Sequence, residues 1–167
     1  MQNIDCRIIY RSTPAELLNY FNIHNLDFNK PINIEGWIGE TLLPSILYAF
    51  RIKIDSLDYY KCFIDAGANV NIKGVNYYEE TLFEYALDNK KENVLELFLP
   101  HFKHKYSHGV MYSAYECLKN REYHTPNFIR LVERLISKFD KKKWKRKLRQ
   151  FTTDLRYTAK TAAEYPD

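Results

Sequence analysis

The sequence predicts an all-α fold of short helix pairs stacked side by side, and three observations carry that reading. Apolar residues recur at helical spacing in short runs, as at Phe128, Ile129, Leu131, Val132, Leu135, Ile136 and Phe139. Helix-start residues precede such runs, as in Ser12-Thr13-Pro14 and Thr125-Pro126, and residues that tolerate a left-handed backbone follow them, as at Asn25 and Gly67. Two helices joined by a short turn cannot bury their apolar faces alone, so such pairs stack. A chain of 167 residues is long enough for one domain with a sizeable core, and 46% apolar with 28% charged residues is a globular composition.

Composition also removes several classes of function. No segment approaches the roughly 18 consecutive apolar residues of a membrane helix, so no membrane span is expected. The start, Met1-Gln2-Asn3-Ile4-Asp5-Cys6, lacks the basic and then apolar regions of a secretory signal. Cys6, Cys62 and Cys117 are odd in number, far apart and free of Cys-x-x-Cys spacing, which argues against a disulfide framework and for a reducing, cytoplasmic compartment.

In chain order, the first helix start is Ser12-Thr13-Pro14-Ala15-Glu16-Leu17-Leu18, with Pro at its first turn and Asn25-Leu26-Asp27-Phe28-Asn29 behind it. Gly39-Glu40-Thr41-Leu42-Leu43 is the next, with Thr41 capping a helix that runs through Leu47 to Phe50; its partner runs from Ser56 or Leu57 to Ala66. Tyr59-Tyr60-Lys61-Cys62-Phe63-Ile64-Asp65-Ala66 then leads into Gly67-Ala68-Asn69-Val70-Asn71, where Gly67 supplies the positive φ that stops the helix. Thr81-Leu82-Phe83-Glu84-Tyr85-Ala86-Leu87 and Val94-Leu95-Glu96-Leu97-Phe98-Leu99 follow. This succession resembles the ankyrin repeat, in which a helix ends in Gly-Ala-Asp-Val-Asn, a β-finger follows, and Thr-Pro-Leu-His-x-Ala-Ala opens the next helix pair. The departures are the missing Pro after Thr41 and Thr81, Glu84 in place of His, and Lys90 in place of the turn Gly.

Downstream, residues 110–118 form a first helix with Ala114 inward, an insertion follows at residues 119–124, and Thr125-Pro126 opens the second helix. The resemblance therefore implies an all-α, ankyrin-like helix-pair solenoid with short β-fingers and a C-terminal capping helix. Its single domain, 1–167, divides into an N-terminal half-repeat (1–29), repeats at 30–71, 72–106 and 107–140, and a basic amphipathic cap (141–162).

The resemblance also implies a role: a preformed platform that binds, and inhibits or neutralises, another protein. Carried onto the copy at Thr81, the family's variable contact positions are Tyr77, Tyr78, Glu80, Asp88 and Asn89; at Thr41 they are Trp37, Ile38, Glu40, Tyr48 and Ala49. In the third copy, where Gly109 stands in place of Thr, they are Lys105, Tyr106 and His108 in the finger. Trp37, Tyr77, Tyr78 and Tyr106 would form an aromatic row at the finger tips, and aromatic residues dominate interface hot spots. The partner is expected to be a protein, with the free chain monomeric.

The C-terminal segment has a different character. Residues 138–160 hold ten Lys or Arg against Asp140 and Asp154, a net of +8, so the rest of the chain carries −4 of the formal total of +4. On a helical wheel Trp144, Leu148, Phe151, Leu155 and Ala162 share one stripe, and Lys142, Lys145, Arg146, Arg149, Arg156 and Lys160 share the opposite one. The apolar stripe is expected to dock and the basic one to face solvent. The basic face is then a solvated cap, a binder of nucleic acid or another anionic surface, or, since residues 141–147 resemble a monopartite nuclear localisation signal, a nuclear address requiring an extended, exposed segment.

Enzymatic chemistry finds little support. His101, His104 and His108 lack a nearby Cys or Glu at ligand spacing, so no metal is expected. Cys62 sits between Tyr60 and Phe63 on an expected buried face, no cysteine carries a nucleophile signature, and five Gly include no phosphate loop, so neither catalysis nor a cofactor is expected.

Overall fold

A computed structural model describes residues 2–36, 42–51, 56–73, 81–103 and 107–164, with side chains described through Thr152. The expected all-α, ankyrin-like solenoid does not hold, because the described chain begins with a mixed three-stranded sheet. Strand β1 (Gln2–Asp5) pairs in parallel with β2 (Ile32–Glu35), from Gln2↔Ile32 to Asp5↔Glu35, and β2 pairs antiparallel with β3 (Leu42–Leu43). The alternation in β2 explains it. Ile32 and Ile34 are fully buried while Asn33 and Glu35 turn away, the period of two that a half-buried strand requires. Leu42 and Leu43, expected in the first turn of a helix capped by Thr41, are extended instead. Pro44 disfavours the helical region for the residue before it, and helix α3 (Ile46–Phe50) starts only beyond that proline.

Helices fill the rest. After α1 (Cys6–Arg11), helix α2 (Pro14–Ile23) begins with a capping box. Glu16 N–H donates to Thr13 Oγ1 (3.3 Å) and Thr13 N–H donates to Glu16 Oε2 (2.7 Å). Helix α4 (Leu57–Asp65) packs on α3 and α2. Helix α5 (Leu82–Asp88) packs on α6 (Glu92–Phe98) and on α7 (His108–Lys119), and α8 (Pro126–Ser137) packs on both α6 and α7. Helix α9 (Lys141–Glu164) contacts α7. Helix α7 starts earlier than expected, at His108, because Ser107 rather than Gly109 supplies its cap.

Three helices end alike. The residue beyond the helix is left-handed at Asn25 (φ 52°), Gly67 (φ 99°) and Lys90 (φ 55°). In each case the next N–H reaches back five residues: Leu26 to Phe21 O, Ala68 to Phe63 O and Lys91 to Ala86 O, each 2.8 Å. Two carboxamides then stitch the following loops to the next unit. Asn29 Oδ1 accepts from Asn69 N–H, and Asn71 Oδ1 accepts from Lys103 N–H, each at 2.7 Å, while Asn71 Nδ2 donates to His101 O at 2.7 Å. These bonds satisfy loop groups that no helix or sheet pairs.

The core is a line of rings. Phe21, Phe63, Phe50, Tyr60, Phe98, Phe83, Phe102, Phe139 and Trp144 each meet the next with centroids 4.8–5.8 Å apart. Most of these contacts are edge-on, the arrangement that ring quadrupoles favour. The line carries packing from α2 to the first turn of α9.

Candidate binding surface on the last helix

Local chemistry places α9. Asp140 lies before its first turn and accepts from Lys143 N–H through Oδ1 (2.8 Å), leaving Lys141, Lys142 and Lys143 as the opening residues with no acidic side chain among them. Cations at a helix N-terminus oppose the macrodipole by about 0.3–1 kcal/mol each. The arrangement therefore weakens the helix locally while concentrating positive potential there.

The opposite stripe holds α9 to the body. Trp144 meets Phe139 at a tilt with centroids 5.4 Å apart, and Phe151, 5% exposed, is enclosed by His108 (5.5 Å), Tyr112 (5.3 Å) and Tyr115 (5.3 Å) of α7. Burying one such phenyl ring contributes about 1.5–3 kcal/mol. With Trp144 and Phe151 turned inward, the cations two positions away, Lys142, Arg146 and Arg149, turn outward.

Four members of the expected basic face, Lys142, Lys145, Arg146 and Arg149, line one cleft of about 570 Å³ with Lys143 and Asp140. Lys142, Lys143, Lys145, Arg146 and Arg149 are all exposed. Asp140, the single acid among these lining residues, has one carboxylate oxygen committed to the Lys143 backbone. The side chains of Arg156 and Lys160 lie outside the described part. Residues 141–147 are helical, not the extended segment that a localisation signal needs.

The expected finger residues fare differently. Trp37, Ile38, Glu40, Tyr77, Tyr78, Glu80, Lys105 and Tyr106 lie outside the described residues. Asp88 and Asn89 are exposed at the end of α5, where Asn89 Nδ2 donates to Tyr85 O at 2.9 Å. His108 is exposed but opens α7 rather than belonging to a finger. Tyr48 and Ala49 cannot serve as contacts, since both are buried in α3, with Tyr48 Oη donating to Ile72 O at 2.7 Å. Cys62, expected on a buried face, is half-buried.

The structure also gathers residues that the sequence did not connect. A cleft of about 380 Å³ between the α5–α6 turn and the end of α7 is lined by residues including Asp88, Lys90, Ser113, Cys117 and His124. Burial raises the Asp88 carboxyl against the lowering effect of the Ser113 hydroxyl, although Asp88 as a residue is exposed. Burial pushes the Cys117 thiol up to about 11, so at neutral pH it is a thiol and no nucleophile. Among the described residues no group of three or more His, Cys, Asp or Glu could hold a metal ion, and no helix is long and apolar enough to cross a membrane. Tyr112, beside the cationic helix and 47% exposed, was legible in principle: a residue two positions from the inward Ala114 lies about 200° round the helix.

Compared with protein-family profiles, curated proteins and solved structures, the chain matches none of them.

Proposed function

We propose that this protein is a non-enzymatic binding module that engages an anionic macromolecular partner through the outward face of α9. The observation that carries the reading is the convergence of Lys142, Lys143, Lys145, Arg146 and Arg149 on one cleft, on a helix whose other face is anchored by Phe151. Positive charges gathered on one face act together on their surroundings. They raise the local concentration of anions and speed encounter with them.

The test is the salt dependence of partner capture, with Lys142→Glu/Arg146→Glu beside the unchanged protein. Four ionic contacts to a single-stranded polyanion weaken binding about fiftyfold between 50 and 200 mM salt. A partner retained equally at both salt concentrations and by the charge-reversed protein would overturn the reading. That outcome favours a second one, a protein partner bound on the α5–α7 layer, where Asp88, Asn89 and His108 are exposed.

A further inference from the structure

The insertion between α7 and α8 is seated on the body by His124. Arg121, Glu122 and Tyr123 are exposed, whereas the His124 imidazole turns inward to the buried Phe128 ring, with centroids 5.1 Å apart. Its Nδ1 is buried and has no hydrogen-bond partner among the described residues. A neutral imidazole can leave a bare lone pair there. An imidazolium must place a charged N–H there, with neither water nor an acceptor to meet it. A ligand cannot reach an atom closed to water, so this nitrogen is no binding group. The surroundings add no counter-ion to spare. The ring stands between the 380 Å³ cleft and a second of about 330 Å³. In the first, Lys90 and Asp88 face it from the α5–α6 turn, and Glu116 and Cys117 from α7. Asp88 is bonded to the Ser113 hydroxyl, and Glu116 Oε2 accepts from Asn120 Nδ2 at 3.4 Å. In the second, Arg121 and Arg130 stand with Glu133. Glu92 of α6 accepts from Thr125 Oγ1 and from Asn127 Nδ2. Burial and the Lys90 ammonium hold the imidazole below its usual 6.5, against the opposing pull of Glu122.

We propose that His124 is an acid-released latch: the neutral ring holds the insertion on Phe128, and protonation at Nδ1 frees residues 119–124 from the junction of α5, α7 and α8. Release has a local route. The Tyr123 and His124 N–H groups donate only within the insertion, to Asn120 O (3.0 Å) and Arg121 O (3.2 Å), so the segment can swing out with these bonds intact. Thr125 still caps α8 when it does. What opens is the cleft wall at Leu87 and Cys117, which are 1% and 6% exposed while the latch is closed. Because the folded protein favours the neutral ring, the latch's contribution is complete above 6.5 and is lost as pH falls through the lower, folded value.

The test follows the full chain by NMR from about pH 8 to about pH 5, reading the His124 ring titration, the amide shifts, and amide-exchange protection corrected for the intrinsic pH dependence of exchange. His124→Phe keeps a ring on Phe128 that cannot titrate, and Lys90→Gln removes the neighbouring charge without touching the latch. The expected result is a His124 midpoint below 6.5, with the amide shifts of residues 119–124 and of Cys117 following that midpoint and protection of the Tyr123 and His124 amides lost across it. In His124→Phe that loss is absent, and in Lys90→Gln the midpoint and the loss move up together. The Lys90→Gln arm decides the matter by itself if His124→Phe does not fold. A His124 midpoint at or above 6.5 overturns the latch, as does a ring that titrates while residues 119–124 keep their protection. A loss of protection that is the same in His124→Phe, or that stays in place in Lys90→Gln, overturns it too.

Discussion

Gly109→Ala should destabilise this protein even though alanine is the better helix former. A Cβ at position 109 would stand 1.4 Å from Glu84 Oε1 and 2.6 Å from Glu84 Cδ, so the carboxylate must leave. That carboxylate completes the start of α5. Thr81 N–H donates to Glu84 Oε2 at 2.6 Å, and Glu84 N–H donates to Thr81 Oγ1 at 3.2 Å. Thr81 is 1% exposed, so an N–H abandoned there finds no ready replacement, at a cost of about 1–2 kcal/mol. Replacing Gly in a compatible helix returns about 0.4–1 kcal/mol. The net expectation is a loss of about 0.5–1 kcal/mol.

In a Glu84→Ala background the clash is gone, and Gly109→Ala should become stabilising by about 0.4–1 kcal/mol. The two substitutions are therefore coupled by about 1–2 kcal/mol. Urea unfolding followed by circular dichroism, on the unchanged protein, both single variants and the double variant, measures that coupling. If Gly109→Ala stabilises the otherwise unchanged protein, or if the two effects add, the account of Gly109 as the space reserved for a helix cap is wrong.

Two further outcomes follow from the same structure. Lys90 holds φ at 55°, which glycine adopts freely, so Lys90→Gly should stabilise by about 0.5–1 kcal/mol, raising the thermal midpoint by about 1–4 °C in a scan beside Lys90→Ala, which should gain nothing. The Asp5 carboxylate, hydrogen-bonded to Arg7 and its N–H, is lowered from 3.8 to about 2. Its folded form therefore favours the anion, so its contribution is present above pH 4 or so and is lost as pH falls through about 2. An NMR titration should show Asp5 titrating near 2, and Arg7→Ala should move it back towards 3.8.

What the sequence made legible was local chemistry. Thr13, Thr81 and Thr125 each cap a helix because a hydroxyl three residues from a free N–H needs no distant partner. Asn25 and Gly67 stand left-handed as their positions behind apolar runs predict, and the stripe from Trp144 to Phe151 turns inward as its wheel predicts. The sheet escaped because β1 has four residues with a single buried one, Ile4, and its pairing partner is thirty residues away. The resemblance pulled residues 41–43 towards a helix although Pro44 argued against it. The basic face was legible from spacing alone, but its convergence with Asp140 on one cleft, and the enclosure of Phe151 by α7, depend on how α9 lies across α7.

The parallel pairing of β1 with β2 also has a consequence in time. Each helix meets helices one or two places away in the chain, and such contacts close fairly short loops and form early. Gln2 has no sheet partner until Ile32 exists. At about 5–20 residues per second of synthesis, the strand leaves the ribosome roughly two to six seconds before it can be paired. Over that interval Ile4 has no core to enter, and what protects the nascent strand is its composition, since Gln2, Asn3 and Asp5 leave it only one apolar side chain to expose.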